Sequence, residues 1–206
     1  MQTTLYYVHD PMCSWCWGFE PTRARLFEAL AGRVTIQRLV GGLAPDSSVP
    51  MPDAMRMGLQ QTWSRIQQII PGTEFNFDFW TECAPRRSTY PSNRAVIAAR
   101  MQGEDFDQPM TARIQQAYYL EARNPSDNET LIELAEDIGL DVERFASDLA
   151  DEDTQQKLLA EIQISRRFGI DSFPSLAVAV AGNLSHIGLN YTDADAMLNQ
   201  IEALIG

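Results

Sequence analysis

The residues with the clearest chemical potential are two cysteines three positions apart, in the segment Cys13-Ser14-Trp15-Cys16. A short run rich in aromatic and β-branched residues precedes them, and apolar residues at helical spacing follow them. The pair is therefore predicted to lie where a strand passes into a helix. The free amides and the dipole at a helix N-terminus favour a thiolate. We expect Cys13 to be that thiolate and Cys16, one turn further along, to lie close enough to form a disulfide with it.

Other interpretations of the cysteine pair remain open. Two cysteines at helical spacing can fill a hydrophobic core, because cysteine packs like a small apolar residue. A zinc site would need further ligands, and the remaining candidates, Cys83, His9 and His186, form no second CxxC and no HxxxH motif. We therefore expect no metal. Binding of a metal or a ligand through the thiols, without turnover, is also compatible with the sequence.

The composition excludes several classes of protein. The chain has 206 residues and a formal net charge of −12, which would repel a phosphate backbone, so nucleic-acid binding is not expected. No apolar run reaches the roughly 18 residues of a membrane span, and no export signal is recognisable, so we expect a soluble, cytoplasmic protein. Three cysteines are too few for a disulfide-dense secreted domain, so any disulfide is expected to serve chemistry rather than stability.

The elements that must position the pair fall into two groups around a helical segment. Strand, helix and strand are predicted in the first part of the chain, and a hairpin and a helix in the last part. Between them the apolar spacing is helical, as in the stripe Met55, Leu59, Trp63, Ile66 and Ile70. Capping patterns predict helix starts at Ser126, with Glu129, and at Thr192, with Asp195. The predicted fold is α/β and thioredoxin-like, with domain 1–45 plus 150–206 and an inserted all-helical domain at 46–149.

Pro174 is a second candidate element, in the segment Asp171-Ser172-Phe173-Pro174-Ser175 before a predicted strand. A proline at the first residue of a strand can be ordinary edge punctuation. Here it follows a strand–helix unit with a CxxC motif and precedes a hairpin and a terminal helix. This is where a thioredoxin fold places its cis-proline loop.

The chain resembles the DsbA family of thioredoxin-fold proteins, in its FrnE-like branch. The element order supports the resemblance over essentially the whole chain. Specific residues support it only in two segments, Asp10-Pro11-Met12-Cys13-Ser14-Trp15-Cys16-Trp17-Gly18-Phe19 and Gly169-Ile170-Asp171-Ser172-Phe173-Pro174-Ser175. Periplasmic DsbA differs, because it has a histidine between its cysteines and a cleaved export signal. A strongly oxidising periplasmic role is therefore not expected here.

The resemblance implies roles for the residues of these segments. Cys13 would be the nucleophile and Cys16 the resolving thiol of a thiol-disulfide oxidoreductase. Pro174 would be a cis-proline opposite them, and the Phe173 backbone would pair with a bound peptide or thiol substrate as a short added strand. Ser14 and Trp15 complete the expected substrate-binding set, with Trp15 as an apolar landing surface. No cofactor is expected beyond the Cys13–Cys16 disulfide, with client proteins or small thiols such as glutathione as partners.

Several neighbouring residues carry weaker expectations. His9 is expected to be a strand-end histidine with satisfied hydrogen bonds, or else to assist Cys13 by a partial positive charge, which Asp10 would oppose if it lies close. Cys83 is expected to be a structural or unreactive thiol. Arg86-Arg87 is expected to be a solvated pair, with contact to an acidic thiol such as glutathione as the alternative.

Two further functions compete with the oxidoreductase hypothesis. A non-catalytic adaptor would use the thioredoxin-like groove and the insertion to bind a partner protein. A glutathione-dependent isomerase of the 2-hydroxychromene-2-carboxylate isomerase type would share the fold. Those enzymes typically use a serine near the first position and lack the resolving cysteine, so Cys16 argues against them.

Overall fold

A four-stranded sheet of order β2-β1-β3-β4 organises the computed structural model, which describes residues 3–206. β1 pairs in parallel with β2 and antiparallel with β3, and β3 and β4 form an antiparallel hairpin. The strands are β1 (Thr3–His9), β2 (Thr35–Val40), β3 (Ser175–Val180) and β4 (Asn183–Ile187). The α/β thioredoxin-like fold with a helical insertion is confirmed.

Helices cover both faces of this sheet. α1 (Ser14–Ala29) and α9 (Ala194–Ile205) pack on one face, and α8 (Glu152–Arg167) packs on the other. β1 lies between two other strands and is buried on both faces: Leu5 and Tyr7 contact the α1 and α9 side, and Val8 contacts the α8 side. A short strand rich in apolar and aromatic residues suits this doubly covered position.

Six α-helices and one short 3-10 helix (Glu104–Phe106) lie between β2 and α8 and enclose two cores of their own. The α-helices are α2 (Asp53–Ile69), α3 (Phe79–Glu82), α4 (Tyr90–Gln102), α5 (Asp107–Leu120), α6 (Asn128–Asp137) and α7 (Val142–Ala150). α4 supplies consecutive small and branched residues, Ala95 to Ala99, to the larger core, which also receives Val40 from β2. The second core is aromatic and centres on Trp63, which is fully buried. The insertion is thus packed directly against the edge of the sheet.

Both cap predictions are wrong. Ser126 does not cap α6, because its hydroxyl donates to the Ser88 carbonyl and the helix begins after Asp127. The last helix is capped by Asp193, whose carboxylate accepts from the Ala196 amide, and not by Thr192. Met55 is 40% exposed, because only the Trp63 and Ile66 end of α2 turns into the core.

Within residues 3–206, none of the helices combines the length and the apolar character that crossing a membrane requires.

A close approach between Gly41, just after β2, and the Phe173 ring joins the sheet to the proline loop. The Gly41 amide donates to the His9 carbonyl, 2.7 Å away. A Cβ at position 41 would lie 2.1 Å from the nearest Phe173 ring carbon. Only glycine therefore leaves room for the ring where it stands.

Gly41→Ala is expected to destabilise the protein by about 1–3 kcal/mol, because the Phe173 ring must be displaced. Gly58→Ala is the matched control, since Gly58 lies inside α2 with open space at its Cβ position. That change should stabilise by about 0.5–1 kcal/mol through helix propensity. Denaturant unfolding of both variants measures the difference. An unfolding free energy for Gly41→Ala equal to that of the wild type would contradict the close approach.

Candidate functional site

Cys13 occupies the N-cap of α1, after a three-residue loop that follows β1. Its amide donates to the Asp10 carbonyl at 3.0 Å, and its own carbonyl accepts from the Trp17 amide at 3.1 Å. The side chain is 7% exposed. The sulfur therefore lies at the positive end of a helix dipole, in a mostly buried but reachable position.

The proline loop lies directly beside Cys13. The Cys13 thiol donates to the Phe173 carbonyl oxygen, with 3.3 Å between sulfur and oxygen. The peptide bond between Phe173 and Pro174 is cis. Two segments 160 residues apart in the sequence are thereby joined at one sulfur.

Cys16 lies in the first turn of α1 and is fully buried. Burial raises the pKa of the Cys16 thiol well above its usual value, and a hydrogen bond to the Cys13 side chain raises it further. The Asp10 backbone N–H lowers this pKa by donating to the Cys16 sulfur, while the Asp10 carboxylate charge raises it. All three cysteines of the chain are free thiols in this structure. The two neighbouring sulfurs thus lie in different environments.

The Asp10 carboxylate ties the cysteine loop to the insertion. It is fully buried, and one oxygen accepts from the Met12 amide at 2.8 Å. The other accepts from the Leu43 amide at 2.8 Å, the Thr89 hydroxyl at 2.7 Å and the Asn93 amide nitrogen at 2.8 Å. Burial raises the pKa of Asp10, and these hydrogen bonds oppose that rise.

The remaining predicted substrate contacts surround Cys13. Ser14 is 8% exposed and lines a narrow cleft that also receives Met12. Trp15 is half-buried against Tyr191, with 5.1 Å between ring centroids, so it is less exposed than a free landing surface would be. Trp17 packs as a core residue: it stacks on Tyr119 and its indole nitrogen donates to the Glu74 carbonyl.

His9 ends β1 as expected, but the structure supports neither the expected hydrogen bonds nor the alternative of a positive charge. Its ring is fully buried and stacks on Tyr7, and neither ring nitrogen has a hydrogen-bond partner within residues 3–206. Burial lowers the pKa of His9 well below its usual value, and the positive charges of Arg38, Arg100 and Arg23 lower it further. His9 is therefore a neutral imidazole and supplies no positive charge to Cys13.

Arg86 and Arg87 lie in two different environments. Arg86 is held by the Asp127 carboxylate and the Ser126 carbonyl, so it is a bound side chain rather than a solvated one. Arg87 is half-buried and lines the cleft beside Ser14. Cys83 lies apart from this cleft, and its thiol donates to a backbone carbonyl at 3.0 Å. Burial raises the pKa of Cys83, as an unreactive thiol requires.

Thr89 and Asn93 are site residues that sequence reasoning missed. They stand four positions apart at the start of α4, which places both on one helix face. Their spacing is the only signal in the sequence, and it does not identify Asp10 as their common partner. Within the part of the chain that the structure describes, no cluster of three or more His, Cys, Asp or Glu residues could hold a metal.

Comparison with known proteins gives one family match. A family model described as thioredoxin matches residues 6–199. Among solved structures, a Nitrosomonas europaea protein with a provisional assignment as a protein disulfide isomerase is 25% identical, with a TM-score of 0.87 and coverage of 100% of this chain and 98% of that one. The cytosolic disulfide reductase DsbM from Pseudomonas aeruginosa is 25% identical, with a TM-score of 0.79 and 98% coverage of both chains, and has also been solved with glutathione.

Curated relatives carry a different description. The ClpXP adapter protein SpxH from Halalkalibacterium halodurans is 26% identical over 192 residues, which are 91% of this chain and 62% of that protein. The SpxH protein from Bacillus subtilis is 26% identical over 175 residues, or 84% of this chain and 56% of that protein. The chain thus spans about six-tenths of the length of these relatives.

Asp10→Asn is expected to lower the free energy of unfolding by about 3 kcal/mol. The reason is that an amide replaces a buried carboxylate that accepts hydrogen bonds from four donors. The matched control is Asp46→Asn. The Asp46 side chain is 52% exposed and pairs with Arg94, so its loss should cost about 1 kcal/mol or less. Denaturant unfolding at neutral pH compares the two variants. Equal losses of unfolding free energy would show that the Asp10 hydrogen bonds do not hold the cysteine loop to the insertion.

Proposed function

The chain belongs to the thioredoxin family, and from that premise we propose that it is a thiol-disulfide oxidoreductase that exchanges disulfides through Cys13 and Cys16. The observation that carries the proposal is the pair's geometry: Cys13 caps α1 within 3.3 Å of the Phe173 carbonyl, and Cys16 is buried beside it. The DsbA-like architecture and the description of DsbM as a disulfide reductase support it.

Cys13 performs the first exchange. Its thiolate attacks one sulfur of a substrate disulfide, so that a new bond forms between Cys13 and that sulfur. The old disulfide bond breaks, and its electron pair leaves on the second substrate sulfur, which takes up a proton. The helix N-terminus favours the thiolate that this step needs, and the Phe173 carbonyl holds the thiol form in place.

Cys16 completes the cycle. After losing its proton it attacks the Cys13 sulfur of the mixed disulfide, and the substrate leaves as a thiolate. The two electrons of the Cys13 and Cys16 thiols have then passed to the substrate, and the protein holds a disulfide. Exchange with a small thiol in the opposite direction restores the dithiol.

Substrate binding is assigned to the residues around Cys13. The Phe173 backbone beside the cis-proline Pro174 would pair with a peptide as an added strand. Ser14 lines the cleft next to Cys13, and the half-buried Trp15 ring, packed on Tyr191, is the apolar contact. Buried Cys16 is not reachable by substrate and acts only on the mixed disulfide.

Glutathione is the small thiol that we assign as partner. The Arg87 guanidinium lies at the cleft beside Ser14, and it forms no ion pair with any of residues 3–206. A cation at this position suits the carboxylates of an acidic thiol. DsbM has been solved with glutathione and is described as cytosolic, which supports this partner and a cytoplasmic location.

A non-catalytic adaptor is the second candidate function, and the SpxH relatives are the observation that favours it. Those proteins are described as adapters of ClpXP. An adaptor would use the same surfaces without turnover, so its binding would not depend on the Cys13 sulfur.

Cys13→Ser is expected to reduce disulfide reduction to the uncatalysed background, because the serine hydroxyl stays protonated at neutral pH and cannot replace the thiolate. Reduction of insulin by glutathione in the presence of each variant measures it. Cys16→Ser should instead accumulate a mixed disulfide at Cys13, detectable by mass, because the resolving thiol is missing. Cys83→Ser is the matched control and should keep wild-type turnover. If Cys13→Ser turns over like the wild type, the oxidoreductase function is wrong and the adaptor is favoured.

A further inference from the structure

β4 forms an outer edge of the sheet, and part of its backbone points away from the molecule. The turn that joins β3 to β4, Ala181-Gly182, has positive φ at both residues, as in a type I′ hairpin. The residues on either side of such a turn face each other as a hydrogen-bonded pair, and hydrogen-bonded pairs then alternate along the two strands. Leu184 and His186 fall between these pairs. Their N–H and C=O groups therefore point outward, away from β3.

The outward backbone groups of β4 have no partner within residues 3–206. No hydrogen bond outside the regular helices and strands involves the backbone of Leu184 or His186. Natural proteins protect such an edge with charged side chains, with proline or with a β-bulge. β4 has the sequence Asn-Leu-Ser-His-Ile and pairs with β3 one residue to one, so it has none of these devices.

The opposite edge of the sheet, β2, is protected. β2 carries the charged residue Arg38, and the Val40 amide donates to the Glu161 carboxylate of α8 at 2.7 Å. Of the two edges, β4 is therefore the one that residues 3–206 leave open.

The surroundings of β4 are uncharged. No Asp, Glu, Lys or Arg occurs from Ser172 to Thr192, and this is the longest such run in a chain in which 21% of the residues are charged. The run contains both strands of the hairpin and the loop that follows β4. Most of the net charge of −12 lies instead in residues 127–153, on α6, α7 and the start of α8.

The face of α9 beside β4 continues this uncharged surface. The Gln200 side chain accepts from the Gly188 amide at 2.8 Å and donates to the Gly188 carbonyl at 3.0 Å, so this face lies at the end of β4. Ala196, Ala203 and Leu204 stand one turn from Gln200 on the same face. Leu204 is 39% exposed, and Ala203 is exposed as well. The open edge of β4 and these four α9 residues are called the neutral edge below.

A second copy of the chain is the partner that suits the neutral edge. Two chains that each carry a charge of −12 repel each other, and the repulsion is smallest where they meet through uncharged surface. A positively charged partner would gain more at residues 127–153. An antiparallel contact between two β4 strands is also self-complementary, because a two-fold axis through Ser185 places Leu184 of each copy opposite His186 of the other.

We propose that the chain forms a two-fold dimer through the neutral edge. The outward amides of Leu184 and His186 donate to the carbonyls of His186 and Leu184 of the second copy, so that the two sheets become one. The two α9 helices pack beside each other through Ala203 and Leu204 and bury apolar surface that the free chain exposes. Neither cysteine of the CxxC motif belongs to the neutral edge, so this inference does not rest on the proposed thiol-disulfide exchange.

Sedimentation velocity in reducing buffer, over a range of protein concentrations, tests the dimer. The wild type should pass from monomer to dimer as the concentration rises. His186→Pro removes an outward N–H from each copy and no hydrogen bond within the hairpin, so it should raise the dissociation constant of the dimer by at least about tenfold. His186→Ala is the matched control, because it removes the side chain but keeps the amide, and it should dimerise nearly like the wild type.

Leu184→Glu decides the question if circular dichroism shows that His186→Pro has disturbed the fold. A glutamate in the neutral edge should weaken the dimer, most strongly at low salt, because like charges meet near the two-fold axis. Gln163→Glu adds the same charge at an exposed position of α8 and should leave the dimer unchanged. A wild-type protein that stays monomeric at every concentration would overturn the proposal. A dimer that persists unchanged in both His186→Pro and Leu184→Glu would also overturn it, since that dimer must use another surface.

Discussion

The buried Asp10 carboxylate is the interaction on which the site depends. A charge without access to water must be compensated locally, and here donors from three different segments converge on it. Met12 belongs to the cysteine loop, Leu43 follows β2, and Thr89 and Asn93 come from the insertion. The insertion is therefore part of the site. The position of the Cys13 sulfur is set by residues that lie on both sides of it in the sequence.

The two cysteine side chains have different surroundings because they lie at different depths at the start of α1. Cys13 lies at the cap, where the helix dipole and a reachable surface suit a nucleophile. Cys16 lies one turn deeper, where burial keeps its sulfur protonated until it is needed. A resolving thiol held in this way does not compete for substrate.

Local sequence patterns were sufficient to predict the fold and the position of the cysteine pair. The spacing of Cys13 and Cys16 after a strand, and Pro174 before the returning hairpin, predict their neighbourhood correctly, because chain order alone brings these segments together in this fold. The environment of His9 could not be predicted, since it depends on Arg38 and Arg100, which lie far away in the sequence. The predicted start of α6 was wrong for a similar reason. Ser126 is drawn to the distant Ser88 carbonyl, and a tertiary contact outweighs a local cap.

Catalysis by this site requires that Cys13 and Cys16 form a reversible disulfide, and a redox titration measures whether they do. Cys83→Ser protein is equilibrated with graded ratios of reduced to oxidised glutathione, and the remaining thiols are alkylated and counted by mass. A reversible disulfide between Cys13 and Cys16 gives one two-electron transition in which both thiols disappear together. Two thiols that remain alkylatable at every ratio, or a glutathione adduct that accumulates on Cys13 without closing to Cys16, would contradict it.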